Sequence, residues 1–157
     1  MFVNISEKRD DQMALSVKII ENNKNEIKDE LEVAIERALE AVGLQAENYV
    51  KMNIPVDTGL LRNSITHAIA GKPAAISSYS ADHPKKGQPS TGTYSGSSPY
   101  EKHAVHVGTN VEYAPYVDQG HALPDGGHVI GINFMERGIM PHMAEYEKLF
   151  EAALKGF

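Results

Sequence analysis

The stretch KNEIKDELEVAIERALEAVGLQAENYVKM, Lys24 to Met52, decides how the rest of the chain is read. Its apolar side chains fall at Ile27, Leu31, Ile35, Ala38, Val42, Ala46 and Tyr49, steps of three and four that put one stripe along a helix. Acidic residues crowd the first half (Glu26, Asp29, Glu30, Glu32, Glu36), which suits the positive end of the helix dipole and leaves an acidic outer face. Gly43 weakens the middle slightly. Pro55 ends the helix, because the residue before a proline is pushed out of the helical region.

Ahead of this helix, Met13 to Ile20 (MALSVKII) reads as a short half-buried strand, punctuated by Asn22 and Asn23. Behind it, Pro55 to Ile65 reads as a turn and a short helical step, with Asp57 or Thr58 as N-cap. Ser64 to Ala70 then alternates like a strand. Ala104 to Thr109 is a second strand that pairs with it as an antiparallel hairpin with an oversized loop. Tyr113 to Gln119 makes a short helix closed by Gly120. The following HALPDGGH reads as a polar loop with no strand or helix period. Val129 to Phe134 is a further strand, and Glu136 to Leu154 is helical with Pro141 as a kink or fresh start and an apolar side at Leu149, Phe150, Ala153 and Leu154.

Between the two pairing strands the composition changes. Residues 71–102 hold four Gly, four Pro, seven Ser and two Thr, with no periodicity, and three of the seven tyrosines, Tyr79, Tyr94 and Tyr100. A stretch of this length without secondary structure is functional or disordered. It reads as a protruding arm on a single domain spanning 1–157, a size that supports one core in a chain of 157 residues.

Composition excludes several functions. Fifteen Lys and Arg against 21 Asp and Glu leave a net charge of −6, which argues against affinity built on neutralising phosphates. With no cysteine there is no disulfide scaffold, thiolate zinc site or cysteine nucleophile. No apolar run reaches the roughly 20 residues that span a bilayer, so no membrane is expected. The first residues lack the basic start and apolar run of a signal peptide, which predicts synthesis in the cytoplasm.

Seven histidines invite a metal site, but His103 and His106 sit three apart in a strand and point to opposite faces. His121 and His128 flank a glycine-rich loop without an HExxH-type pattern. Ser64, Ser97 and Ser98 lie in no nucleophile elbow. An acid–base pair drawn from Asp118 or Asp125 near His121 competes with simpler roles, Asp118 at a helix end and Asp125 in the turn Pro124-Asp125-Gly126-Gly127. No catalytic residue, metal ligand or cofactor site is assigned. The rival reading is a small metal-dependent hydrolase or toxin domain using His106, His121 and His128; another is a regulatory binding module with a disordered insertion.

Three elements in order, Ile54-Pro55-Val56-Asp57-Thr58-Gly59-Leu60-Leu61-Arg62-Asn63-Ser64-Ile65, Val107-Gly108-Thr109 and Tyr113-Ala114-Pro115-Tyr116-Val117-Asp118-Gln119-Gly120, carry a resemblance. Together they resemble the small tail-component family of tailed bacteriophages and prophages, proteins of the neck or tail-completion region at the head–tail junction. That family's C-terminal helix usually opens on a "P-F-[LM]" element, which stands here as Asn133-Phe134-Met135. The resemblance implies an α+β fold, a small antiparallel β-sheet packed against the long N-terminal helix and a C-terminal helix. It implies a non-enzymatic virion protein forming a homo-oligomeric ring, six- or twelve-fold, that takes part in tail completion or head–tail joining; tail terminator and head-closure protein are its near neighbours. Partners would be neighbouring neck, adaptor or tail-tube proteins, with DNA passing through the channel unbound. An acidic helix would suit such a channel.

The motif residues Pro55, Asp57, Thr58, Gly59, Leu61, Arg62, Ser64, Gly108, Tyr113, Ala114, Tyr116 and Gly120 read as scaffold. Arg62 is placed to pair with Asp118 or Glu112, and Tyr113, Tyr116 and Val117 to supply apolar contact. In the arm, Tyr79, Lys85, Lys86, Tyr94 and Tyr100 are candidate inter-subunit contacts that order in the assembly.

Overall fold

A 29-residue helix forms over the stretch that the periodicity marks. The computed structural model describes residues 3–6, 16–19, 24–70, 72, 76–95 and 101–155. Helix α1 spans Lys24–Met52 and stops short of Pro55. Its burial is uneven. Ala38, Leu39, Ala46, Val50 and the following Ile54 are buried, whereas Ile27, Leu31 and Val33 are exposed. The apolar stripe therefore enters the core only along its C-terminal half, and residues 25–33 are all exposed.

Strand β1 (Val3–Ser6) pairs antiparallel with β2 (Ser16–Ile19), which falls within the strand expected over 13–20; the other residues of that expectation lie outside the described ones. After the turn comes α2 (Leu60–Ser64), then β3 (Thr66–Ile69). β3 pairs with a later strand, Val105–Gly108, with Thr66 opposite Gly108 and Ile69 opposite Val105. This is the hairpin that the alternation predicted. Gly43 has a larger role than softening the helix: a Cβ there would sit 2.5 Å from His67 Cδ2 and 3.0 Å from Val105 Cγ2, so its absence lets the ribbon lie against α1.

The arm is different from its expectation. Ile76–Ser80 (β4) and Thr91–Ser95 (β5) form an antiparallel ribbon, with Ile76 opposite Ser95 and Ser80 opposite Thr91. In chain order Val105–Gly108 is then β6. Helix α3 (Ala114–Gln119) follows, ended by Gly120 at φ +84°, as expected. The polar loop after it is also corrected: β7 (Gly120–Ala122) pairs with β8 (His128–Ile130), and Asp125 Oδ1 accepts the Gly127 amide in the turn between them. The further strand over 129–134 is cut to β8. Among the described residues the strands pair as four separate two-stranded ribbons.

Helices α4 (Phe134–Ile139) and α5 (Met143–Leu154) are joined by one 3-10 turn, Met140–His142, which holds Pro141. The fold is α+β. Its core gathers Val50, Ile54, Leu61, Ile65, Val111, Ala114 and Phe134, where α1, α2, α3 and α4 meet. α4 crosses α1 at Gly138, where a Cβ would lie 2.6 Å from Val50 Cα. The Tyr146 hydroxyl of α5 then donates to the Gly138 carbonyl at 2.8 Å, fixing the second helix on the first. Burial pushes that phenol up to about 12.

Candidate functional site

The two longer sequence elements, 54–65 and 113–120, converge on one side of the molecule. Thr58 is buried, and its Oγ1 accepts the Leu60 amide at 3.3 Å while its carbonyl accepts the His83 amide at 3.0 Å. The N-cap of α2 is Gly59, not Asp57 or Thr58. Its φ is +82°, a region glycine enters freely, and a Cβ there would meet Asp82 Cγ at 2.9 Å. Leu60 and Leu61 point inward. Ser64 is buried and donates to the Leu61 carbonyl at 2.7 Å, its Oγ lying 2.6 Å from Thr109 Oγ1. Thr109 Oγ1 in turn accepts the Val111 amide at 3.1 Å. A short polar chain thus ties the first element to the strand end that carries Gly108.

The charged members of the first element face the β4–β5 ribbon. Arg62 pairs with Asp82 at 2.5 Å rather than with Asp118 or Glu112. Asn63 Nδ2 donates to Asp82 Oδ1 at 3.0 Å and to the Ser80 carbonyl at 2.6 Å, and Asp57 pairs with Lys85. The Asn63 hydrogen bond and the Arg62 charge hold the Asp82 carboxyl below its ordinary range. These contacts latch the ribbon to the body.

Arm residues named as candidate inter-subunit contacts are accordingly engaged within the chain. Tyr94 is buried, and the Tyr79 hydroxyl donates to Asn110 Oδ1 at 3.0 Å while Asn110 donates to the Thr93 carbonyl at 2.6 Å. The Tyr79 ring lies over Gly92, where a Cβ would clash at 2.5 Å. Lys86 is exposed, and Tyr100 lies outside the described residues.

In the second element Ala114 is buried, but Tyr113 and Tyr116 are exposed enough to contact something else. Burial still raises the Tyr113 phenol, which faces Thr58 and the Leu61 backbone. Tyr116 meets His121 edge to face at 5.8 Å. Asp118 does structural work on the next helix. Its Oδ1 accepts the Met135 amide at 3.1 Å and its carbonyl accepts the Asn133 amide at 2.8 Å. The helix-end role read for Asp118 thus extends to the start of α4, and Asp125 serves the turn.

Between the two elements and the ribbon lies an apolar cleft of about 430 Å³, walled by Pro55, Leu60, Leu61, Pro89, Tyr113 and Val117. Arg62 and Asp57 stand at its edge. Nothing in it pairs a nucleophile with a base. Among the described residues no group of three or more His, Asp or Glu is placed to hold a metal ion, and no helix is long and apolar enough to cross a membrane.

One polar cluster escaped the sequence reading. His67 Nδ1 lies 2.8 Å from Glu47 and Nε2 3.3 Å from Glu40, and Lys51 closes on Glu47 at 2.5 Å. The hydrogen bond to Glu47, helped by Glu40, raises the His67 imidazole against the lowering effect of burial. For Glu47 burial pushes upward, but His67 and Lys51 outweigh it and hold the carboxyl low. The signal was present, since Glu40, Gly43 and Glu47 share one helical face.

With that geometry in place, comparison with known families is specific. The family described as "Bacteriophage HK97-gp10, putative tail-component" matches residues 18–120, a span that holds the whole of α1 and both converging elements. No curated protein and no solved structure matches the chain.

Proposed function

The chain belongs to the HK97-gp10-like family of bacteriophage tail components, and on that premise we propose that it is a structural, non-enzymatic virion protein of the head–tail junction. It joins copies of itself into a ring, six- or twelve-fold, on the axis between portal and tail tube, and takes part in tail completion or head–tail joining. Tail terminator and head-closure protein are the neighbouring assignments within that junction. Neighbouring neck, adaptor or tail-tube proteins are its partners. The observation that carries this reading is the family match across both elements, whose polar members are engaged in internal contacts and so leave function to surfaces.

The charge pattern supports the same reading. The exposed half of α1 carries Glu26, Asp29, Glu30 and Glu32, and the whole chain is net negative at −6. A wall of that sign repels phosphates and lets a duplex pass without tight binding.

Cryo-electron microscopy of purified particles carrying the protein tests the proposal. Ring density for it between portal and tail tube is the expected result, and would fix the symmetry. Particles that lack the chain while infectivity still depends on its gene would overturn the virion role and point to an assembly factor or an enzyme.

A further inference from the structure

We propose that residues 82–89, the tip of the β4–β5 ribbon, are an electrostatic strap over the apolar cleft. At low ionic strength the tip is held down. When salt screens its ion pairs it swings away as one unit, and the cleft face of Leu60 and Leu61 opens to solvent. The device belongs to the chain itself and does not depend on the virion role proposed above.

The ribbon is fastened in two different ways along its length. Its stem is held by contacts that salt does not weaken. Tyr94 is buried, and Tyr79 packs against the core with its ring over Gly92. Asn110 bridges the two strands, accepting from the Tyr79 hydroxyl at 3.0 Å and donating to the Thr93 carbonyl at 2.6 Å. The Ala81 amide donates to the Ser90 carbonyl at 2.7 Å and closes the stem, and within the tip the Gln88 amide donates to the Lys85 carbonyl at 3.1 Å. Both bonds lie inside the ribbon, so a moving tip keeps them.

Beyond the Ala81–Ser90 rung the attachment becomes electrostatic. Asp82 pairs with Arg62 at 2.5 Å and Lys85 pairs with Asp57. The Asn63 side chain adds a bond to Asp82 Oδ1 at 3.0 Å, and the His83 amide joins the body at the Thr58 carbonyl, also at 3.0 Å. The two ion pairs have opposite polarity, the tip supplying the anion to one and the cation to the other. Sliding the tip along the body would set like charges against each other, so the closed tip has a single register.

Nothing apolar backs these pairs. Gln88 and Pro89 of the tip line the cleft opposite Pro55, Leu60, Leu61 and Val117, yet both are exposed, so burial adds little to hold them. All four paired side chains are more than a third exposed, so dissolved ions reach them. The screening length shrinks from about 10 Å at 0.1 M salt to about 3 Å at 1 M. A segment held in this way opens locally at far less cost than global unfolding.

Amide hydrogen exchange followed residue by residue in the 157-residue chain tests the strap. Between 0.1 M and 1 M sodium chloride the His83 amide, bonded across to the body, should speed up about fivefold relative to the Ala81 amide, bonded within the ribbon. Equal acceleration of both would mean that the ribbon melts as a whole, and an unchanged His83 would mean that the ion pairs do not hold the tip. Either result overturns the strap. The chain has no cysteine, so Asp57→Cys and Lys85→Cys, both at exposed positions, can be joined by a short bis-maleimide that ties the tip down. Nile red, a neutral apolar dye, should brighten with added salt more in the native chain than in the tethered one. The same rise in both would overturn the opening of the cleft.

Discussion

Asn133 sits at φ +52° and ψ +45°, a left-handed conformation at the N-cap of α4, and its amide donates to the Asp118 carbonyl. Proline, which usually stands at this place in the tail-component pattern, cannot follow: its ring fixes φ near −65° and removes the amide proton. Asparagine tolerates the left-handed region. Asn133→Pro should therefore destabilise the protein by about 3 kcal/mol or more, while Asn133→Gly should be close to neutral; urea denaturation of both variants checks the contrast. His67 poses a question of sign. Its imidazole is raised above the ordinary 6.5 by Glu47 and Glu40, so its contribution is complete below 6.5 and is lost as pH rises through the raised value. Glu47 is lowered from 4.5, so its contribution is complete above 4.5 and fades as pH falls through the lowered value. Beside Glu40, Lys51 is the other charged group that faces the pair. The clamp between β3 and α1 is thus strongest in mildly acidic solution. Melting temperature should fall between pH 6 and 8.5 more steeply for the native chain than for His67→Gln, and equal slopes would refute the clamp.

At the scale of elements, the β4–β5 ribbon is held to the body by a polar latch rather than by a large apolar face. Exposed ion pairs contribute little to global stability, yet two of them, with the hydrogen bonds of Asn63, converge on this one ribbon. Arg62→Ala should leave the melting temperature nearly unchanged while speeding tryptic cleavage after Lys85 and Lys86, because local opening needs less free energy than global unfolding. An unchanged cleavage rate would show that Tyr79 and Tyr94 hold the ribbon without the latch. The same ribbon shows why part of the fold was hidden in the sequence. Along β4 the half-covered positions are Ser77 and Tyr79 while Ile76 is exposed, so hydropathy alternates with the wrong sign or not at all. The β7–β8 ribbon buries almost nothing, with Ile130 at 85% exposure, and leaves no pattern to read. By contrast α1 buries Ala38, Leu39, Ala46 and Val50 and carries the period that burial imposes, and β3 buries Ala68 and Ile69. For the candidate site, the converging elements and their buried members were legible from residue type, as were Thr58 and Ser64 as scaffold. The partners of Arg62 and Asp57 were not, since both lie on a ribbon that the sequence did not announce.

On the scale of the whole molecule, the family match ends at residue 120, but the core does not. Phe134, only 1% exposed, fills the space among Val50, Ile54, Ile65 and Ala114, and Gly138 brings α4 onto the backbone of α1. Tyr49 of α1 donates to Glu145 at 2.7 Å and stacks on His142 at 3.6 Å between ring centres, so α5 and the turn before it cover the same helix. A chain cut after Gly120 would expose this face of α1 and lose Phe134, whose removal from a packed core alone costs about 3–5 kcal/mol. Stabilities of small domains are only about 5–15 kcal/mol in total. The fragment 1–120 should therefore lack a cooperative thermal transition by circular dichroism and bind a hydrophobic dye, whereas the chain of 157 residues melts in one step. Cooperative melting of 1–120 near the midpoint of the 157-residue chain would mean that α4 and α5 are an addition to a finished core rather than part of it.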